Sequence, residues 1–315
     1  MSIRLNVVLL NYKTPDLIVE CLRSIDREDL GNGQVTVIDN ASKDGSVETI
    51  KRAIHEEGWS EWVRLVESTV NGGFAAGNNL GIESGSADGY VLLNSDTLVK
   101  PGLFRELRKA MNRHPDAGLI APAIIDEHGN PDVSAFRWLT PWGELVRAAQ
   151  MRIFDKLFER HHVIYPLPES GGPVEPDWVG FACVLIRHEV IENVGLLDDR
   201  YFMYFEDVDY CHRVRKAGWR VLYWPNARIV HFLGGSSGVS GNAGVAKRAP
   251  AYYYRARSRY FRKYYGQKGL FVANIAWTVG AVIAFVRSLI KGGKLNFRKR
   301  ELLDNWIGFI SYARN

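Results

Sequence analysis

Acidic residues are missing from a long part of this sequence. Positions 210–300 contain no Asp or Glu but 19 Lys and Arg, whereas the rest of the chain carries 21 basic and 35 acidic residues. The overall net charge of +5 therefore hides a segment of +19 joined to a body of −14. Such an asymmetry indicates an anionic partner for the C-terminal third, either nucleic acid or the negatively charged face of a membrane.

Cysteine is scarce as well. The chain has three, Cys21, Cys183 and Cys211, far apart and without a CxxC pair. This spacing argues against a disulfide framework or a zinc site and favours a reducing compartment. The apolar run at 5–10 is too short for a secretory signal and is followed by no small-residue cleavage site. We therefore expect an unexported, cytoplasmic protein.

Two nucleotide-binding signatures are also absent. Neither GxGxxG nor GxxxxGK[ST] occurs in the chain, which disfavours dinucleotide-dependent hydride transfer and P-loop chemistry. A content of 46% apolar and 24% charged residues excludes a disordered chain. The 315 residues are enough for one α/β catalytic domain with an appendage.

The first 125 residues alternate between strand-like and helix-like patterns. This alternation predicts an α/β fold with a mostly parallel sheet flanked by helices. In such sheets ligands bind at the carboxyl ends of the strands. The predicted strands are 5–11, 34–39, 63–66 and 89–93, and the predicted helices are 15–25, 45–57, a helix ending at 82, and 101–112.

Polar residues follow each of these strands. The loop after the second strand fits an ordinary Asx-capped turn as well as a ligand-binding loop. Adjacent glycines before a helix let backbone N–H groups approach a phosphate, and an Asp at a strand end can hold a divalent cation. The candidates are Asn11 and Tyr12, Asp39 and Asn40, Gly72 and Gly73, and Asn94 with Asp96.

A second acidic motif lies further along the chain. A strand is predicted over 178–187, and the aromatic run at 201–205 leads directly into Glu206 and Asp207. Mutual repulsion and desolvation raise carboxyl pKa values toward the range of a general base. The alternative is a helix N-terminus whose acids face the helix dipole.

These motifs together resemble the family 2 glycosyltransferases of the GT-A fold, and in particular their rhamnosyltransferase-like branch, over about residues 3–265. The motifs that carry the resemblance are LLNY at 9–12, VIDNASKDGS at 37–46, NGGFAAGNNLGI at 71–82, YVLLNSDT at 90–97, WVGFACVLIR at 178–187, FMYFEDVDYCHRVRKAGW at 202–219 and RIVHFLGGSS at 228–237.

The resemblance implies a nucleotide-sugar site with a divalent metal, Mg²⁺ or Mn²⁺. Asp96 matches the last acid of the family's DxD element, and His231 stands where family members offer a metal-binding histidine. Asn94 and Asn40 replace acids of the usual pattern, as is common in the rhamnosyltransferase-like branch. The implied nucleotide-sugar contacts are Asn11, Tyr12, Asp39, Asn40, Gly72, Gly73, Asn78, Asn94 and Asp96.

The resemblance also implies an inverting reaction. Asp207, paired with Glu206, would be the catalytic base, and Trp178 and Gly180 would line the acceptor side. The expected reaction moves L-rhamnose from dTDP-rhamnose to a glycan or a polyprenyl-diphosphate-linked sugar in cell-surface polysaccharide synthesis. The alternatives are a galactofuranosyl or other hexosyl transferase that uses a UDP-sugar, a nucleotidyltransferase, and a non-catalytic nucleotide- or nucleic-acid-binding protein.

The predicted domains are a GT-A domain at 1–245 and a basic, helical, membrane-associating region at 246–315. Within the GT-A domain, 1–125 is the nucleotide-sugar half and 126–245 the acceptor half. Positions 270–286 carry no charge, which predicts a membrane-binding helix over 270–290 at the inner face of the cell membrane, with a homo-oligomer contact as the alternative. Beside this run, nucleic acid is the disfavoured partner. A final amphipathic helix is predicted over 298–309.

Overall fold

The computed structural model describes residues 3–26, 28–151, 161, 163–167, 171–232, 248–291, 297 and 300–310. The chain forms two compact units. The first comprises the described residues of Met1–Phe136, Pro166–Phe202 and Glu206–Ser240, and the second those of Arg137–Tyr165, Met203–Phe205 and Gly241–Asn315. The predicted domain boundary at residue 245 stays a prediction.

The first unit is built on a mixed, mostly parallel sheet, which confirms the predicted fold class. The strand order is β3-β2-β1-β4-β9-β6-β10-β5, with β9 and β5 antiparallel to their neighbours. A small second sheet pairs β7 with β8. The strands are β1 Leu5–Asn11, β2 Gln34–Asp39, β3 Val63–Glu67, β4 Gly89–Asn94, β5 Thr97–Val99, β6 Ala117–Ile125, β7 Ala135–Phe136, β8 Trp178–Val179, β9 Cys183–Arg187 and β10 Arg220–His231.

Helices connect the parallel strands. Pro15 starts the first helix, where its missing N–H leaves no helical hydrogen bond unmade. The helices of this unit are α1 Pro15–Asp26, α2 Ser46–Glu56, α3 Gly73–Glu83, α4 Leu103–Arg113, α6 His188–Val194 and α7 Glu206–Lys216. All eight elements predicted within the first 125 residues are present. Each bound that was predicted differs from the observed bound by at most two residues.

The central strands are apolar along their length because both faces of the sheet are covered. Helix α3 approaches β1 so closely that a Cβ on Gly77 would lie 2.3 Å from Leu10 Cδ1, and one on Gly81 would lie 2.2 Å from Val8 Cγ1. Helix and strand therefore touch through glycine, which holds the N-terminus of α3 close to the carboxyl end of the sheet.

The single strand predicted over 178–187 is wrong. The chain leaves the small sheet after β8 and joins the large sheet only at Cys183. In between, the Gly180 N–H donates to the Ser134 carbonyl, and the Asn94 N–H donates to the Ala182 carbonyl. The sequence does not reveal this break, because both short strands consist mainly of apolar residues that are typical of β-strands.

The second unit is helical, with α5 Gly143–Ala149, α8 Ala251–Lys291 and α9 Glu301–Asp304. Gly266, at φ 68° and ψ −179°, divides α8 into two helical stretches. The helix predicted over 270–290 lies in the second stretch. The Arg257 guanidinium is buried inside the second unit, where it donates to Glu144 at 2.8 Å and to Asn274 at 2.7 Å. Although burial opposes ionisation, Arg147 and Arg257 lower the pKa of Glu144 to about 2.

The helix predicted over 298–309 is also wrong. Only Glu301–Asp304 is α-helical, and positions 298 and 299 lie outside the described residues. The Arg262 guanidinium donates to the carbonyl oxygens of Gly308 and Phe309. Trp306 and Phe309 pack on each other and on Phe271, so aromatic packing and these hydrogen bonds replace a longer helix.

Candidate active site

The ends of β1 and β2 are joined by a buried hydrogen-bond network. Asn11 Nδ2 donates to Asp39 Oδ1 at 2.7 Å and to Ser42 Oγ at 3.2 Å, while Asn11 Oδ1 accepts from the Thr14 N–H at 3.2 Å. Asp39 Oδ2 also accepts from the Ser42 N–H at 3.0 Å. Asn11 is therefore fully engaged in holding the loop, and its predicted contact with a nucleotide would be indirect.

Tyr12 points out of this network. Its side chain is 43% exposed, and the Lys13 ammonium lies 5.4 Å from the ring centroid. Lys13, Ala41 and Lys43 all have positive φ angles between 54° and 60°. Non-glycine residues rarely adopt this conformation, and such strain concentrates at binding loops. An exposed aromatic ring beside a strained loop suits stacking on a nucleobase.

Asn40 links this region to the glycine loop before α3. Its amide Nδ2 donates to Asn71 Oδ1 and to the Gly73 carbonyl, and its Oδ1 accepts from the Gly72 N–H. An aspartate at position 40 could not donate these two hydrogen bonds, which explains the amide in physical terms. Asn78 is also committed within its own helix, where its amide donates to the Phe74 carbonyl.

Gly73 connects the glycine loop to the acidic motif. Its φ is +84°, and a Cβ at this position would lie 1.9 Å from the Phe202 carbonyl oxygen. The next N–H, that of Phe74, donates to the same oxygen at 2.6 Å. Phe202 stands four residues before Glu206, so the loop predicted to contact the donor is hydrogen-bonded to the segment that leads into the predicted base.

Asp96 and His231 lie close together at the end of β10. The turn after β4 reverses the chain into β5, which pairs antiparallel with the end of β10. His231 Nε2 lies 3.3 Å from Asp96 Oδ1. Adjacent ligands of an octahedral ion, each at about 2.1 Å, are roughly 3 Å apart, so this pair fits two neighbouring positions around Mg²⁺ or Mn²⁺. Asn94 borders the same turn, and its carbonyl accepts from the Thr97 hydroxyl.

Two protein ligands do not complete such a site. Within the described part of the chain, no group of three or more His, Cys, Asp or Glu side chains has metal-binding geometry. Diphosphate oxygens and water molecules would have to supply the other ligands, as is common in Mg²⁺ sites that bind phosphates. Gly234 and Gly235, which follow His231 in the sequence, lie outside the described residues.

Glu206 and Asp207 open α7 and differ in their surroundings. Burial and the neighbouring charges of Asp207 and Asp209 raise the pKa of Glu206 well above its ordinary value. One carboxyl oxygen of Glu206 has no hydrogen-bond partner among the described groups. Burial raises the pKa of Asp207 to about 6, against the backbone N–H groups that favour its charged form. Burial therefore disfavours the charged form of both carboxyl groups, and repulsion disfavours a second charge beside the first.

The backbone before these acids is strained. Tyr204 and Phe205 have φ angles of 71° and 67°. Two consecutive aromatic residues in the left-handed region are costly, and such outliers persist where the surrounding structure holds a functional group in place. The third acid, Asp209, has a different task, because it is ion-paired with Arg213 at 3.1 Å and is fully buried.

Trp178 and Gly180 are placed beside α7. The Trp178 ring stacks on Phe136 with centroids 4.2 Å apart and an interplanar angle of 19°. Gly180 leaves space next to that stack, since a Cβ there would meet only Phe136, at 3.7 Å. Arg215 of α7 donates to the carbonyl oxygens of residues 176 and 177, which fixes the helix that carries Asp207 against the strand that carries Trp178.

Sequence reasoning missed several residues that build the site. Ser42 lies inside the motif quoted for the second strand, so its position offered a signal. Phe202 lies inside the motif quoted at 202–219, although nothing there marks its carbonyl as an acceptor. Phe136 offered no signal, because a stacking partner has no sequence signature. The roles assigned to the individual side chains stay predictions.

Comparison with known proteins identifies the family of this chain. The family model described as "Glycosyltransferase like family 2" matches residues 4–266. The N-acetylglucosaminyl-diphospho-decaprenol L-rhamnosyltransferase of Mycobacterium tuberculosis is 28% identical over 285 residues, which cover 85% of this chain and 87% of that protein. The resemblance stated from the sequence motifs is therefore confirmed.

Solved structures agree on the fold. The structure of GalNAc-T7 with UDP, GalNAc and Mn²⁺ has a TM-score of 0.62 at 14% identity, covering 91% of this chain and 54% of that one. The mannosyltransferase PcManGT of Pyrobaculum calidifontis, in complex with GDP-Man and Mn²⁺, has a TM-score of 0.54 at 17% identity, covering 93% of this chain and 77% of that one. The chain belongs to the family 2 glycosyltransferases and has the GT-A fold.

Proposed function

We propose that this glycosyltransferase transfers L-rhamnose from dTDP-rhamnose, with inversion, to a sugar carried on a polyprenyl diphosphate. The observation that carries the proposal is the pairing of two carboxyl groups of unequal burial at the start of α7, next to the Trp178 stack. A carboxylate with a raised pKa beside an aromatic face is suited to accept a proton from a sugar hydroxyl.

The reaction is a single displacement. Asp207 accepts the proton of the acceptor hydroxyl while that oxygen bonds to the anomeric carbon of the donor. The bond between the anomeric carbon and the diphosphate oxygen breaks, and its electron pair leaves with the nucleoside diphosphate. Because the oxygen enters opposite the leaving group, the product has the inverted configuration. General-base assistance of this kind contributes roughly 10²–10⁴-fold in rate.

Asp96 and His231 are the residues that would hold the divalent metal. When bound, the metal would neutralise negative charge that grows on the departing diphosphate. The solved GT-A structures described above contain Mn²⁺, which supports a requirement for a divalent metal in this fold. Asn40 and the Gly72–Gly73 loop orient the donor from the opposite side of the sheet end, and Tyr12 stacks on its base.

The choice of donor and acceptor follows the relatives. The Mycobacterium tuberculosis relative is named for rhamnosyl transfer to a decaprenyl-diphosphate-linked N-acetylglucosamine. A lipid-linked acceptor accords with the basic C-terminal third of this chain, which would associate peripherally with the inner face of the cell membrane. A UDP-sugar donor, such as UDP-galactofuranose, is the second candidate.

A transfer assay tests the proposal. Purified full-length protein is mixed with dTDP-rhamnose, UDP-galactofuranose or UDP-glucose and a detergent-dispersed polyprenyl-diphosphate N-acetylglucosamine, with Mn²⁺, Mg²⁺ or chelator. We expect dTDP release and a rhamnosylated lipid of inverted configuration from the first donor alone. Chelator, Asp96→Asn and His231→Gln should each lower the rate at least about 10-fold. If no donor is turned over, the proposal is wrong. If a UDP-sugar is turned over instead of dTDP-rhamnose, that UDP-sugar is the donor.

The pH dependence of the reaction follows from the buried base. Because Asp207 acts in its ionised form and burial raises its pKa to about 6, kcat/KM should fall about tenfold per pH unit below pH 6 and level off above pH 7. On α7, the charge of Asp207 acts on Glu206, and so does that of Asp209, which is paired with Arg213. A rate profile between pH 4.5 and 8.5 measures this limb, and a flat profile would exclude Asp207 as the base.

A further inference from the structure

The second half of α8 presents one apolar face to solvent. Between Gly266 and Lys291 six exposed apolar side chains recur every three or four residues within an arc of about 120° on a helical projection, and the exposed side chains of Val286 and Ile290 adjoin them. We refer to this row as the apolar stripe. Its residues are between 42% and 69% exposed: Phe271, Ile275, Val279, Val282, Phe285 and Leu289.

The opposite face of the same helix is occupied by protein. A Cβ on Gly280 would lie 2.5 Å from the Leu145 carbonyl oxygen, so α8 and α5 touch through backbone. Buried Asn274, at the border between the two faces, accepts from the buried guanidinium of Arg257 at 2.7 Å, and the Arg287 guanidinium donates to the Gln150 carbonyl. One side of the helix is therefore covered by a short helix and by charged groups, while the other is apolar and open.

This asymmetry decides how the helix can meet a membrane. Among the described residues α8 is the one helix long and apolar enough to cross a bilayer, judged by length and composition. A crossing helix would carry α5 and the Arg257–Glu144 pair into the hydrocarbon layer, where buried charge is costly. A helix that lies parallel to the surface keeps these groups on the protein side and buries only its apolar stripe.

The charge of α8 indicates which partner covers the apolar stripe. α8 contains no acidic residue, and Lys263 and Lys268, near the Gly266 break, are exposed. A second copy of the chain related by two-fold symmetry would bring two such basic segments together, which is repulsive. Anionic lipid headgroups offer the opposite charge beside an apolar layer. Trp306 and Phe309 lie next to Phe271 at one end of the stripe, and aromatic side chains favour the membrane interface.

We propose that the apolar stripe of α8 inserts into the surface of an anionic bilayer with the helix parallel to the membrane plane. This inference is independent of the proposed reaction, because lipid binding is measured without a sugar donor or acceptor.

Vesicle flotation tests the stripe. Full-length protein is mixed with phosphatidylcholine vesicles that contain or lack 30% phosphatidylglycerol. We expect binding to the anionic vesicles, weakened by salt, and at least a tenfold loss of partitioning for Val282→Asn combined with Phe285→Asn. The control is Val133→Asn, which changes an apolar side chain of similar exposure, 44%, in the first unit. Equal binding of the double variant and the control would overturn the proposal.

Fluorescence depth measurements test the orientation. The native cysteines are all buried, so single cysteines introduced by Ile275→Cys, Val282→Cys or Leu289→Cys can be labelled selectively with an environment-sensitive dye. Residues 275 and 289 are about 21 Å apart along a helix. Quenching by lipids labelled at different depths should report the same shallow depth at all three positions. A depth that changes by most of 21 Å would show a crossing helix, and concentration-dependent dimers broken by the stripe variant would assign the surface to a second copy; either result contradicts the proposal.

Discussion

Replacement of Asp207 by asparagine should abolish transfer and at the same time stabilise the fold. The amide cannot accept the proton of the acceptor hydroxyl, so we expect kcat to fall by roughly 10²–10⁴-fold. Donor binding should stay within about threefold of the wild type, because the proposed reaction assigns Asp207 to the acceptor and the network around Asn40 to the donor. Steady-state kinetics and nucleotide titration measure the two quantities separately.

The stability effect has the opposite sign for a physical reason. Burial raises the pKa of Asp207 from 3.8 to about 6, so the folded state binds a proton more tightly than the unfolded chain does. Ionisation of Asp207 therefore costs stability, and this cost appears as the pH rises from about 4 to 6. At pH 8 we expect Asp207→Asn to raise the free energy of unfolding by about 1–2 kcal/mol, and at pH 4 the gain should vanish.

Glu206→Gln is the matched comparison for this prediction. Burial and the adjacent charge raise the pKa of Glu206 well above its ordinary value and so favour the neutral carboxyl, which a neutral amide of the same length resembles. We expect transfer within about tenfold of the wild type. If Glu206→Gln loses as much activity as Asp207→Asn, the two carboxyl groups act as one unit and the single-base assignment fails. If Asp207→Asn destabilises the protein at pH 8, the raised pKa is wrong.

The parts of the fold that sequence could predict are those with a repeating pattern. Strands β1, β2 and β4 are buried on both faces and are largely apolar in sequence, and the polar residues after them indicate the edge where a ligand is expected. The break between β8 and β9 could not be predicted, because both strands carry the same apolar pattern and only their pairing differs. The helix predicted over 298–309 failed because aromatic packing and the Arg262 hydrogen bonds override local periodicity.

In the candidate site, too, some residues can be recognised from the sequence and others cannot. Residues such as Asp96, His231 and Asp207 are recognisable because their chemistry stands out at the end of an apolar strand or run. The amide of Asn40 and the stack of Phe136 on Trp178 depend on partners that are more than 30 residues away in the chain. Sequence spacing contains no information about such pairings, although they orient the groups that the motifs mark.

Gly73 should be the least replaceable residue of the glycine loop before α3. In Gly73→Ala the new Cβ would lie 1.9 Å from the Phe202 carbonyl oxygen, a backbone atom that cannot rotate away. The loop would have to separate from the segment before α7 and lose the hydrogen bond between the Phe74 N–H and Phe202. We expect a loss of at least about 3 kcal/mol in unfolding free energy and of at least 100-fold in kcat/KM, measured by denaturant titration and by the transfer assay.

Gly129→Ala separates this clash from the cost of a left-handed backbone. Gly129 has almost the same φ, +85°, but a Cβ there would meet nothing within 4 Å. It should therefore cost only the general penalty for a non-glycine residue at positive φ, about 1–2 kcal/mol, and leave kcat/KM unchanged. Since the two substitutions share the same backbone strain, the difference between them measures the contact between the glycine loop and Phe202. Equal effects of Gly73→Ala and Gly129→Ala on both stability and activity would mean that this contact does not hold the donor loop in position relative to the base.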